Sequence, residues 1–203
     1  MAMAYDAFSA GVEPGGLRTQ SEIKLLVCYL IRTINAPLDR DIIYRSLQQD
    51  GLANYFEIGP AISDLVKNNC LTVQQEGETE CYMLTEEGQE ASETLEHIVP
   101  LSVRKKAVKA AVRSLYRRRN EKETRFQTEK RENGVFLTCT VLEADGSEMM
   151  SIRVKVADTY QAEVIKEQFL NNPGLIYRGT LALLIGDVDS VGGFAALADG
   201  QDI

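Results

Sequence analysis

Positive charge is scarce in the first half of this chain. Residues 1–100 hold 6 Lys/Arg against 16 Asp/Glu, and the full 203 residues carry a formal net charge of −8 at pH 7. That balance favours solubility and works against general attraction to nucleic acid or acidic lipid. Histidine is scarcer still, with His97 alone. Its place near a helix end suits a surface or capping role. The four cysteines, Cys28, Cys70, Cys81 and Cys139, form no C-x-x-C pair. This is too little for a structural zinc site, so reduced cysteines in a cytoplasmic protein are expected. No apolar run approaches the roughly 20 residues that cross a bilayer. The opening MAMAYDAFSAG has neither a basic n-region nor an apolar run, so no secretory signal is expected.

Motifs of catalysis are missing as well. There is no P-loop, no G-x-G-x-x-G after a strand, no G-x-S-x-G and no H-E-x-x-H. No enzyme activity, cofactor or metal is expected. Asp187, Asp189 and Gly192 faintly suggest a calcium loop. Val191 replaces a ligand, however, and Ala198 stands where the bidentate glutamate belongs.

What is present is periodic. Residues 1–20 form an N-terminal segment with the Gly/Pro-rich GVEPGGLR. Ile23, Leu26, Val27, Leu30, Ile31 and Ile34 are spaced for a helix, with Ser21 as its expected cap. Asp39 can cap a second helix with Ile42, Ile43 and Leu47 inward, and Gly51 stops it. A third helix lies within NYFEIGPAISDLVKNN. Two starts are open: Asn54 with Glu57 as a capping box, or Gly59-Pro60 as cap and first residue. Either start buries Ile58, Ile62 and Leu65 or Val66. Leu71 and Val73, then Cys81 and Met83, alternate as a hairpin. Thr85 caps a helix running to Ile98, with Glu86 and Glu87 at its positive end, and Pro100 breaks it.

The order helix–helix–helix–strand–strand–helix is that of a winged helix-turn-helix, and YMLTEEG (82–88) is how many such domains finish the wing. The expected wing is unusual. It carries Glu76, Glu78 and Glu80 and no positive charge. Three carboxylates would repel phosphates, where basic side chains release counterions.

The second half differs in charge. Residues 101–131 hold 12 basic and 3 acidic residues, a split that suggests two units. A helix over LSVRKKAVKAAVRSLYRRR carries an expected apolar stripe of Leu101, Val108, Val112 and Leu115 and eight basic residues. Val135, Leu137, Cys139 and Val141 alternate, as do Met150, Ile152, Val154 and Val156, around the turn signal Asp145-Gly146. Phe126 marks a third strand. Asp158 caps a further helix, and the apolar LIYRGTLALLI follows Pro173. The fold class is therefore α+β. A winged helix-turn-helix (21–99) precedes a small antiparallel sheet with helices on one face (100–185). An acidic, Gly-rich tail (186–203) is expected to be disordered.

Several strings stand together: PGGLR (14–18), EIK (22–24), NYFE (54–57), LTEEG (84–88), PLSVRKKAV (100–108) and QAEVIKEQFLNNPGLIY (161–177). The set resembles a bacterial family named domain of unknown function 4364, over roughly residues 8–183. The resemblance implies a winged-helix architecture and a transcriptional regulator.

The expected function is DNA binding by a homodimer. The third helix would enter the major groove with Tyr55, Ser63 and Lys67 outward, opposed by Glu57 and Asp64. The basic helix would lie on phosphates through Arg104, Lys105, Lys106, Arg117, Arg118 and Arg119. The rival use of those charges is pairing with the chain's own carboxylates. The alternative function is a protein–protein adaptor that keeps the winged-helix shape without binding DNA.

Overall fold

The computed structural model describes residues 11–187 and residue 189. The chain divides into two compact units, one ending at Leu115 and the other starting at Tyr116. Each has its own apolar core.

The first unit is built on α1 (Gln20–Ile34), whose Ile23, Leu26, Val27, Leu30 and Ile31 are buried as the 3.6-residue spacing requires. Its cap is Thr19, not Ser21. Thr19 Oγ1 accepts from the Glu22 amide at 3.2 Å, and Glu22 Oε2 accepts from the Thr19 amide at 2.9 Å. That reciprocal pair needs a glutamate three residues after the cap, which only Thr19 has. A two-residue strand, β1 (Leu38–Asp39), follows, and Asp39 caps α2 (Arg40–Gln48) by accepting from the Ile42 amide.

Helix α3 (Tyr55–Lys67) begins at Asn54, whose side chain accepts from the Phe56 amide at 3.0 Å. Pro60 thus lies inside the helix. The amide it lacks would have reached the carbonyl of Phe56, at an exposed end where water can take its place. Ile58, Ala61, Ile62 and Leu65 form the buried face, and Val66 is half-buried.

Strands β2 (Leu71–Glu76) and β3 (Thr79–Leu84) form the hairpin, and β1 pairs with β3 to give the order β1-β3-β2. The register sets the faces of the hairpin. Leu71 pairs with Leu84 and Val73 with Tyr82, so Cys81 and Met83 lie on the opposite side from Leu71. A two-residue loop at Gly77-Glu78, with Gly77 at φ +64, sets this register. An offset of one residue exchanges the two faces of a strand.

Helix α4 (Glu86–Leu95) ends earlier than expected, in a 3-10 turn over Glu96–Ile98. Thr85 ties its start to the core edge. Thr85 Oγ1 accepts from the Gly88 amide and donates to the Asn69 carbonyl. Gly88 has no room for a side chain, because a Cβ there would lie 2.0 Å from the Cys70 carbonyl oxygen.

Helix α5 (Leu101–Lys122) crosses the division between the two units. Its buried positions are Val103, Ala107, Ala110 and Ala111. The expected stripe is displaced: Leu101 and Val112 are exposed, while Val108 and Leu115 are partly buried. Small alanines let a helix approach a core closely, and apolar size alone does not reveal that.

In the second unit β4 (Thr124–Arg131), β5 (Gly134–Leu142) and β6 (Glu148–Val156) form an antiparallel sheet in the order β4-β5-β6. Val135, Leu137, Cys139 and Val141 lie opposite Val156, Val154, Ile152 and Met150, as the alternation predicts. Helices α6 (Thr159–Asn171) and α7 (Pro173–Leu184) complete the unit. Ala162 and Phe169 of α6 and Ile176 of α7 pack on this face of the sheet, with Phe126 edge-on to Phe169. The expected tail over 186–203 lies outside the described residues apart from Gly186, Asp187 and Asp189. So do residues 1–10 of the N-terminal segment.

Two glycine substitutions check this packing. Gly88→Ala should destabilise the protein by about 1–3 kcal/mol, since the backbone of Cys70 must shift. Gly179→Ala, mid-helix with nothing within 4 Å of its new Cβ, should stabilise it by about 0.5–1 kcal/mol. Urea unfolding of both variants reads the opposite signs.

Candidate nucleic-acid interface

Helix α3 presents one narrow stripe to solvent. Phe56, Pro60, Ser63 and Lys67 stand at i, i+4, i+7 and i+11, and all four are exposed. This places them within one face of a 3.6-residue helix, opposite Ile58, Ala61, Ile62 and Leu65. Tyr55 flanks the stripe at 51% exposure, and Phe56 is 78% exposed.

An aromatic cluster fixes the start of α3. The Tyr55 ring meets Tyr44 edge-on at 5.0 Å and Phe56 at 5.5 Å. Arg40 lies over Tyr44, 5.3 Å from its centroid, and donates from Nη2 to the Tyr44 hydroxyl at 3.2 Å. A Cβ on Gly59 would meet that hydroxyl at 2.5 Å, so glycine lets α2 and α3 approach here. Arg40, Tyr44 and Phe56 were not among the expected site residues. Phe56 was readable, as an aromatic opposite the apolar face. Arg40 and Tyr44 become neighbours of α3 only through the packing of α2.

The two acids expected to oppose an anionic partner differ. Asp64 accepts from Lys24 Nζ of α1 at 2.8 Å. That hydrogen bond and charge hold the Asp64 carboxyl below its usual range. Its charge is matched within the chain. Glu57 stands half-buried in the first turn of α3, where the helix dipole favours an acid.

The cations of α5 separate into two groups. Arg104 is packed, with a side-chain exposure of 13%. Its guanidinium lies 5.0 Å from the Tyr29 ring centroid and reaches Glu96 at 2.9 Å, and Glu96 also binds Arg32. Arg117 grips Glu167 with two hydrogen bonds, at 2.5 and 2.9 Å, and pairs with Glu121 at 3.2 Å. These bonds push the Arg117 pKa up and the Glu167 pKa down. Arg119 pairs with Glu123 one turn on, at 2.9 Å. Lys109 and Arg118 also interact within the chain. Lys105, Lys106 and Arg113 are exposed and carry no ion pair among the described residues.

Across the hairpin, residues 72–80 are all exposed, including Glu76, Glu78 and Glu80. Burial pushes the Cys28 thiol up to about 12 and the Cys139 thiol to about 11, so both stay protonated. No cluster of His, Cys, Asp or Glu among the described residues could hold a metal ion. No described helix is long and apolar enough to cross a membrane.

The family model described as Domain of unknown function (DUF4364) matches residues 23–184. The chain belongs to this family. The match runs from α1 to the end of α7 and so includes the aromatic cluster, the α3 stripe and the second sheet. No curated protein and no solved structure matches the chain.

The paired carboxyls set a pH dependence. Glu96 is held below its usual range, first by Arg32 and then by Arg104. Glu167 and Asp64 are held low by Arg117 and Lys24. Carboxyls lowered in the folded state contribute stability above their unfolded pKa. That contribution is lost as pH falls through the folded value. The urea midpoint should therefore drop on acidification below roughly pH 5, and Glu96→Gln should lower the neutral midpoint and flatten the drop.

Proposed function

We propose that the first unit is a winged helix-turn-helix that binds duplex DNA, and that the protein is a transcriptional regulator acting as a homodimer. Helix α3 lies in the major groove. The observation that carries this reading is the charge of its solvent stripe. Lys67 is the one charged residue among Phe56, Pro60, Ser63 and Lys67, and the flanking Asp64 is already bound to Lys24. Ser63 can meet a base edge, the rings of Tyr55 and Phe56 suit thymine methyl groups, and Lys67 and Arg40 suit phosphates. Further phosphate contact falls to Lys105, Lys106 and Arg113. Arg104 and Arg117 serve the fold through their carboxylate partners, and Arg119 is paired with Glu123 at the surface. Leu181, Leu184 and Ile185, exposed at one end of α7, suit a contact between two copies.

The second reading is a winged-helix adaptor without DNA binding. It is favoured by the exposed glutamates of the β2–β3 tip and by the exposed aromatic pair Tyr55 and Phe56.

Fluorescence anisotropy on random-sequence and genomic-fragment duplexes, at several salt concentrations, separates the two. The DNA reading expects binding that weakens steeply with salt. Ser63→Ala with Lys67→Ala should then reduce discrimination between sequences by about tenfold, from about 1–3 kcal/mol per lost base contact. A folded protein that binds no duplex at low salt belongs to the adaptor reading.

A further inference from the structure

The sheet of the second unit packs its helices on one face only. Register places Arg125, Glu129 and Arg131 of β4, Phe136 of β5, and Arg153 and Lys155 of β6 on the other face. The five charged residues are exposed and Phe136 is half-buried. These residues bring four cations and one carboxylate, and Glu148, opposite Leu142 at the far end of β6, adds a second carboxylate.

These groups are held in place. Glu129 Oε2 accepts from Arg131 Nη2 at 2.6 Å and from Arg153 Nη2 at 2.9 Å. The same two guanidiniums lie against Phe136, 5.5 and 5.1 Å from its ring centroid. One carboxylate and one ring therefore fix two guanidiniums on an open sheet. Arg125 and Lys155 enter no ion pair among the described residues. Thr140 and Ser151 share a hydrogen bond at 3.1 Å beside them and add exposed hydroxyl groups.

We propose that this face binds single-stranded nucleic acid. The excess positive charge selects an anionic partner, and the lack of aliphatic groups at its centre disfavours an apolar one. Ordered guanidinium planes and a phenyl ring offer stacking to unpaired bases. A duplex keeps its bases stacked on one another and gains nothing from such a platform. Fixing the guanidiniums before binding lowers the ordering cost. The surface lies in the second unit and stands apart from the reading of α3.

The test uses the full chain and a fluorescein-labelled oligothymidylate of about 20 nucleotides, followed by anisotropy over a salt series. Binding is expected with a dissociation constant on the order of 10–100 µM at low salt, weakening as salt rises. Arg125→Gln with Lys155→Gln removes two cations that hold no structural pair. It should weaken binding several-fold and make the log–log salt slope shallower by about 1.4. Phe136→Ala should weaken binding further without changing the slope. Ser63→Ala with Lys67→Ala should leave oligothymidylate binding unchanged, so a failure here and a failure of the α3 reading are distinguishable. Absence of binding at low salt, or equal binding by the double variant, would overturn the proposal. So would a duplex competing as well as the single strand. Salt-sensitive self-association abolished by the same double variant, without nucleic acid, would assign the face to an acidic protein surface instead.

Discussion

Glu96 stands between Arg32 and Arg104, and both guanidiniums also lie against Tyr29. This small cluster joins α1, the centre of the first core, to the turn after α4 and to the start of α5. It also sets how the surface can be understood. Arg104 opens the most basic run in the chain, yet its charge is spent inside the fold. Further along α5 the less exposed Arg117 meets Glu167 and Glu121, while the exposed Arg119 pairs with Glu123 at the surface. Partly buried guanidiniums need such partners, because an unpaired charge away from water is costly. A count of Lys and Arg in this segment therefore overstates the charge available to an external anion.

The same pairing acts in the opposite sense on α3. An aspartate that would repel phosphates is bound by Lys24 from α1. What remains is a narrow face with one lysine, one serine, a proline and a phenylalanine, beside Tyr55 and Arg40. Its geometry comes from ordinary packing. The four buried residues of α3 turn it into the core, the Asn54 cap sets its first turn, and Gly59 admits Tyr44. Among the described residues no cation pairs with the glutamates of the hairpin tip, so an anionic partner is better met elsewhere.

Much of the fold was legible in the sequence because core periodicity is a strong local signal. The apolar spacing of α1, the caps Asp39, Thr85 and Asp158, and the alternation of β5 and β6 all recur in the structure. The misses have separate physical causes. The face of β3 followed from a two-residue loop, not from which residues were apolar. The buried side of α5 follows its alanines, which fit close to a core where larger residues do not. The fates of Arg104 and Arg117 depended on Glu96 and Glu167, the latter 50 residues away. Among the expected site residues, Tyr55, Ser63 and Lys67 do share the exposed side of α3. Of the six cations expected on α5, Arg119 meets Glu123 at the i,i+4 spacing a helix discloses, whereas Arg104 and Arg117 meet Glu96 and Glu167 outside the helix.

The central claim is that the surface left free for a partner is the α3 stripe, not the paired arginines of α5. Amide hydrogen exchange, with and without saturating duplex DNA, tests it most directly. The account predicts slowed exchange over α2 and α3, residues 40–67, with little change from 116 to 122. Slowing confined to residues 104–122, with α3 unaffected, would contradict it.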